Sequence, residues 1–374
     1  MLGLYDRDGE REPGPTENGE RAAVRHVSVP AAAVRGTYRL VQKDPAPYRE
    51  QIIAFWKEYL PGTPAGRFDW MSNGNPAGPA LWFFAVDTRN DEIAGVISVI
   101  PREVIMGGRR VRAGILGDFM VSRRHRVFGP GLLLPKTAVA ELSKRGFEMF
   151  YTIPNAESEK VIRRMGFRHR ESLYSMVKPL EVGYYLEKYM NRTSARLLSP
   201  LIRNGLALLS MERYIPSRGA FGETACIGAA FDALWDKMCR KEGSLRGDRS
   251  AAYLSWRYLC DPLRRYRVLT YRKKPGGKML GCLFFMIDAG RLHIADIMSP
   301  GIIPVYKLLR RIVDIAKQEG CLSLTIDVGR TNPLLSLVRS FGFFNAGKDI
   351  ALFFLGGPEE SDTEYGFVGG DRSL

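Results

Sequence analysis

The chain has 374 residues, with 55 Lys and Arg against 40 Asp and Glu, for a net charge of +15. Its 45% hydrophobic content is ample for packed cores, and the length suggests two domains. No apolar run approaches a membrane span, and the charged stretch Asp6–Glu12 leaves no room for the apolar core of a secretory signal. Five cysteines without a Cys-x-x-Cys pair read as free, mostly buried thiols in a reducing, cytoplasmic setting. Four scattered histidines give no metal constellation.

Residues 1–36 read as a disordered tail, because Asp6–Arg21 holds no aliphatic side chain to offset its ordering entropy. A short strand is expected at Thr37–Val41. The period of Ile52, Ile53, Phe55, Trp56, Tyr59 and Leu60 predicts a helix stopped by Pro61-Gly62. Leu81–Val86 and Ile93–Ile100 flank a polar turn and predict a hairpin. Gly107-Gly108 then turns the chain into a strand ending at Val121. A helix over Pro130–Lys144, a strand over Glu148–Ile153, a helix over Asn155–Met165 and a strand over Ser172–Val177 complete an α/β unit, residues 37–180.

Between the strand ending at Val121 and the helix at Pro130 lies Arg126-Val127-Phe128-Gly129-Pro130-Gly131. Glycines after a strand and before a helix let backbone N–H groups meet a pyrophosphate, and the helix N-terminus adds favourable partial charge. The nearby Arg123, Arg124 and Arg126 suit the phosphates of such a ligand. Val121, Arg126, Gly129 and Gly131 are in register with the cofactor signature of the GNAT superfamily of acyl-CoA-dependent N-acyltransferases, which the segment resembles. Arg123 and His125 stand where that family often has Pro and Tyr. A later family element is matched by Asn155, Ser158 and Gly166-Phe167, with Ile162 in its Tyr place.

The resemblance implies acetyl-CoA or another acyl-CoA as cofactor. Phe119, Met120 and Val121 would supply strand backbone beside the pantetheine and thioester. Arg126, Val127, Phe128, Gly129, Gly131 and Leu132 would surround the pyrophosphate, and Asn155, which also caps its helix, would lie near the cofactor. Pro130 lacks an N–H, and Pro135 deeper in the helix should bend it or leave a carbonyl unpaired. Asp118 is the candidate base or anchor for the substrate ammonium, weighed against a structural role. With Ile162 in the tyrosine's place, the general acid is unassigned. Tyr174, Tyr151 or water could serve.

Residues 220–356 read as a second, degenerate copy. Trp70 is followed by Pro76, and Trp256 by Pro262, at the same spacing; Gly95 and Gly281 lie equally far beyond each Trp. Asp118-Phe-Met corresponds to Asp296-Ile-Met, and Asn155…Gly166-Phe167 to Asn332…Gly342-Phe343. Each Trp is read as anchoring a loop on its own sheet, with a sugar-stacking platform as the alternative. The copy lacks Arg-x-x-Gly-x-Gly and is expected to help build the acceptor cleft without holding CoA. The fold class expected is α/β, an α+β mixed sheet in two tandem GNAT-like domains. Residues 181–219 form a helical linker packed on both copies, or alternatively an interfacial amphipathic helix, and 357–374 form a C-terminal tail.

The function these readings support is an N-acyltransferase acting on a small-molecule or saccharide amine, with an amino sugar of a surface polysaccharide as one candidate acceptor. Two alternatives stand beside it. One is a Fem-like aminoacyl transferase using charged tRNA, the only reading that needs a nucleic-acid partner. The other is a non-catalytic CoA-sensing scaffold. No transmembrane segment is expected, and peripheral membrane contact would run through the linker.

Overall fold

The computed structural model describes residues 33–35, 37–126, 129–187, 190–239, 244–357 and 364–371, all within one unit that starts at Ala33. Its first half runs β1 (Ala33–Arg35), β2 (Tyr38–Lys43), α1 (Arg49–Tyr59), α2 (Gly66–Ser72), β3 (Leu81–Asp87), β4 (Ile93–Met106), β5 (Arg109–Val121), α3 (Pro130–Ser143), β6 (Met149–Thr152), α4 (Ala156–Arg164) and β7 (Arg168–Pro179). Helices α5 (Val182–Leu186) and α6 (Arg192–Leu209) follow. The second half contains β8 (Ala220–Thr224), α7 (Ala229–Cys239), β9 (Ser244–Gly247), α8 (Ala251–Leu254), β10 (Arg267–Arg272), β11 (Met279–Asp288), β12 (Arg291–Met298), α9 (Ile302–Gln318), β13 (Ser323–Gly329), α10 (Leu334–Ser340), β14 (Phe344–Gly356) and β15 (Glu364–Tyr365).

The strands form one mixed sheet in the order β1-β2-β3-β4-β5-β6-β14-β7-β13-β12-β11-β10-β8, with β9 joining β4 to β15. Its centre carries an exchange. Strand β14, from the second half, pairs with β6 of the first, while β7, from the first half, pairs with β13 of the second. The two exchanged strands then pair antiparallel with each other. The parallel pairs β5·β6 and β12·β13 each follow from a helical crossover, through α3 or α9, and β9·β15 is also parallel.

The internal repeat read in the sequence meets itself in space. Trp70 and Trp256 stack with ring centroids 5.0 Å apart and an interplanar angle of 24°. Each indole N–H donates to the other tryptophan's carbonyl, at 2.9 and 3.1 Å. This corrects the expectation that each anchors its own sheet. Both rings are buried, so neither is an exposed sugar platform. An indole needs an apolar environment and one acceptor, and reciprocal pairing supplies both.

Four other readings are corrected. Residues 33–35, placed in the N-terminal tail, form β1 on β2; Met1–Ala32 lie outside the described residues. The C-terminal stretch is not a free tail: Phe367 and Asp371 are fully buried. The linker helix α6 packs chiefly on α5 and the turn Met211–Tyr214 rather than on both copies, and among its described side chains only Ala195 is buried. Only Cys282 and Cys321 of the five free thiols are buried; Cys226 and Cys260 are exposed.

Candidate functional site

Strands β5 and β6 pair in parallel from Ala113↔Met149 to Ile115↔Tyr151 and then diverge. At the divergence the Thr152 hydroxyl donates to the Leu116 carbonyl at 3.0 Å. On its other side β5 slips register against β4 between Val96 and Ser98, a bulge that places Asp118 in the left-handed region at φ 47°. Divergence and bulge together open a cleft of about 590 Å³, lined by Gly117, Asp118 and Phe119 of β5, Thr152 and Asn155 after β6, and Ile162 of α4. The loop after α1, at Leu60–Thr63, and Arg67 of α2 close one side.

Asp118 is held from two directions. Arg67 Nη1 donates to Oδ1 at 2.5 Å and the Ser98 hydroxyl to Oδ2 at 2.7 Å. The Asp118 side chain is 1% exposed and that of Arg67 7%, so this is a buried ion pair. The Arg67 guanidinium also lies over the Trp56 ring, 5.2 Å from its centroid. Arg67 went unnoticed in the sequence, although it lies three residues before the repeated Trp70.

The second half contributes to the same cleft through Leu263 and Arg264, just after Pro262 of the duplicated Trp-Pro segment. Arg264 lies 3.8 Å from Asp261 and keeps 42% of its side chain exposed. The cleft therefore carries one buried carboxylate and two guanidiniums. No tyrosine is among its lining residues. Tyr174 lies on β7 and packs on the core of the second half, away from this lining. Tyr151 is buried against Arg102, which donates to its hydroxyl at 3.1 Å. Burial lifts the Tyr151 hydroxyl well above the usual tyrosine range.

Beyond Val121 the chain makes a short turn, Arg123–His125, and enters α3 through Gly129. Val127 and Phe128, read as phosphate-loop residues, lie outside the described residues. Gly129 adopts φ 101°, open to glycine alone at low cost, and no side chain caps the helix there. A side chain added at Gly131 would meet nothing within 4 Å. The first N–H groups of a helix have no upstream carbonyl within it, and Gly131 is the second residue of α3. Leu132 N–H donates to the Gly129 carbonyl at 3.2 Å. Helix α3 continues through Pro135 without a break.

The other predicted residues divide. Met120 and Val121 are buried, while Phe119 is only partly so. Arg126 donates to the Val121 carbonyl at 3.3 Å, pairs with Glu157 at 3.4 Å and lies over the Tyr59 ring. Asn155 caps α4, accepting from the backbone N–H groups of Glu157 and Ser158. His125, in the place of a family tyrosine, contacts the Tyr38 hydroxyl at 2.9 Å. Tyr59 accepts from Arg123 N–H at 3.2 Å, and burial raises its hydroxyl above the ordinary value.

The second half has an equivalent opening where β12 and β13 diverge beyond Ile294↔Ile326. Residues 367–370 of the chain's own C-terminal stretch occupy it. Val368 bridges to Val328, the Gly329 N–H donates to the Phe367 carbonyl, and Gly369 lies against Ala295 and Asp327. Asp371 anchors the stretch through Arg102 Nη2 at 2.5 Å and Arg249 Nη2 at 2.7 Å. Burial works to raise the Asp371 carboxyl, but the two arginines outweigh it and hold it below the usual range. A cavity of about 400 Å³ remains beside this plug, with Arg249 already committed to Asp296 and Asp371.

No protein-family model matches the chain, and no curated protein matches it. Solved structures do. A probable N-acyltransferase from Enterococcus faecalis V583, a conserved protein of unknown function, superposes with a TM-score of 0.62 at 12% identity over 87% of this chain and 74% of its own. Its fold is that of the GCN5-related N-acetyltransferases. One of these, from Anabaena variabilis, gives a TM-score of 0.62 at 12% identity, covering 85% and 72% of the two chains. Saccharomyces cerevisiae N-myristoyltransferase with bound myristoyl-CoA gives 0.57 at 10% identity, covering 88% and 85%. The fold class expected from the sequence, α/β with a mixed sheet, is the one observed.

Proposed function

We propose that the chain is an acyl-CoA-dependent N-acyltransferase whose cofactor lies in the first half. The observation that carries this reading is an asymmetry. The divergence of β5 and β6 stays open as a cleft, and β5 runs on through a short turn into a helix entered at Gly129, whereas the divergence of β12 and β13 is filled by residues 367–370. The second half would then be a degenerate copy that lends Leu263 and Arg264 to the acceptor side. The GNAT fold and the bound myristoyl-CoA of one structural neighbour accord with an acyl-CoA ligand.

A bound acyl-CoA supplies the activated acyl group. The chain's own residues position and neutralise. The Gly131 N–H and the positive end of α3 meet diphosphate charge. Arg126 would add its charge to that cradle, and Phe119, Met120 and Val121 would flank the pantetheine arm. Asp118, paired with Arg67, would attract the acceptor ammonium at the mouth of the bulge. A saccharide amine suits a cleft with two guanidiniums and the hydroxyls of Thr63, Thr152 and Ser158.

The test is titration with acetyl-CoA, longer acyl-CoAs and charged tRNA, followed by thiol release with an amine panel. Gly131→Glu adds bulk and negative charge at an open position without requiring left-handed backbone. It should weaken acyl-CoA binding about a hundredfold while leaving the melting temperature unchanged. Unaltered affinity in that variant would refute the placement. Binding without thiol release would favour a sensor.

A further inference from the structure

Helix α6 is an amphipathic helix whose apolar side the molecule leaves uncovered. It begins at Asn191, whose side chain accepts from the Ser194 N–H, and its 18 residues span about 27 Å. Leu197 and Leu201 are each 70% exposed, Leu208 55%, Leu198 40% and Ile202 39%. At the angular step of an α-helix these five fall on one arc of about 140°. The helix leans on the body elsewhere. Ala195 is buried, and Ser199 packs so close to α5 that a side chain on Gly183 would touch it.

Charge defines what can cover that arc. No Asp or Glu occurs between Glu187 and Glu212, while Arg192, Arg196 and Arg203 cluster on the polar face of the helix, opposite the apolar arc. Glu212 is turned away into Lys178, Arg310 and Lys317. Arg192 reaches Glu187 at 3.7 Å, and Arg196 and Arg203 have no carboxylate partner among the described residues. A second copy docking here would bring together two chains of net charge +15, which like-charge repulsion opposes. A bilayer with anionic headgroups suits this division, because a helix lying in the interface sinks its apolar arc and leaves a basic polar face at the level of the headgroups. Among the described residues no helix is long and apolar enough to cross a membrane, so α6 would lie in the interfacial plane.

We propose that α6 docks the protein on anionic lipid bilayers, with Leu197, Leu201 and Leu208 entering the headgroup–acyl boundary and Arg196 and Arg203 meeting lipid phosphates. This is independent of the acyl-transfer reading. The whole protein is sedimented with phosphatidylcholine vesicles with and without phosphatidylglycerol. Binding is expected to the anionic vesicles, declining with salt. Leu197→Glu/Leu201→Glu should reduce it about tenfold or more, and Arg196→Ala/Arg203→Ala by about tenfold, each with an unchanged melting temperature because the sites are exposed. Failure to bind either vesicle type, or equal binding by the leucine variant, overturns the proposal. So does a dimer by light scattering that the leucine variant converts to a monomer, which would make this face a self-interface.

Discussion

Asp118 combines three demands at one position: left-handed backbone, burial and a charge partner. Among non-glycine residues Asn and Asp tolerate that backbone best, and only a carboxylate also neutralises Arg67. Asp118→Asn therefore keeps the bulge but strands a buried guanidinium. A stability loss of about 3 kcal/mol is expected from denaturant unfolding. If Asp118 attracts the acceptor, KM for the amine should also rise about tenfold while acyl-CoA affinity holds. A stability loss with unchanged KM would assign Asp118 to the scaffold alone. The sequence singled out this aspartate but not Arg67 or Ser98, because nothing local signals contacts that span 51 and 20 residues.

At the level of elements, the first half was legible where periodicity and turn residues agree. The hairpin of β3 and β4, the helix after Gly129 and the capped α4 lie where Leu81, Ile93, Pro130 and Asn155 place them. Strand β4 runs on to Met106 instead of stopping at Ile100, because Pro101 pairs opposite Gly114 and turns its carbonyl to Asn75. Helix α2 was not foreseen: seven residues behind a Pro-Gly turn carry too little period. The plug at 367–370 was illegible, since its short apolar run gives no hint of which groove it enters. Its tether has a pH signature. The Asp371 carboxyl is lowered in the folded protein, so its contribution is complete above the unfolded value of about 3.9 and is lost as pH falls through the folded value. Asp371→Asn should destabilise at neutral pH by about 3 kcal/mol and flatten the acid limb of the stability curve. An equally steep limb in the variant would remove Asp371 from that role.

Across the whole molecule, the exchange of β7 and β14 decides what can exist alone. Periodicity tells which face a strand buries but not which strand lies beside it, so the sequence suggested two halves in succession without showing that each completes the other's sheet. A fragment of residues 37–180 would leave β6 with one neighbour and β7 with none of its own. It should melt without a cooperative transition and self-associate. A sharp calorimetric transition in the monomeric fragment would contradict this. The same arrangement acts during synthesis. The edge of β6 has no partner until residues 344–356 have left the ribosome, and at about 5–20 residues per second that delay is roughly 10–40 s. Throughout that interval a half-built sheet shows an unpaired strand to solvent, and edge-to-edge association competes with completion of the fold.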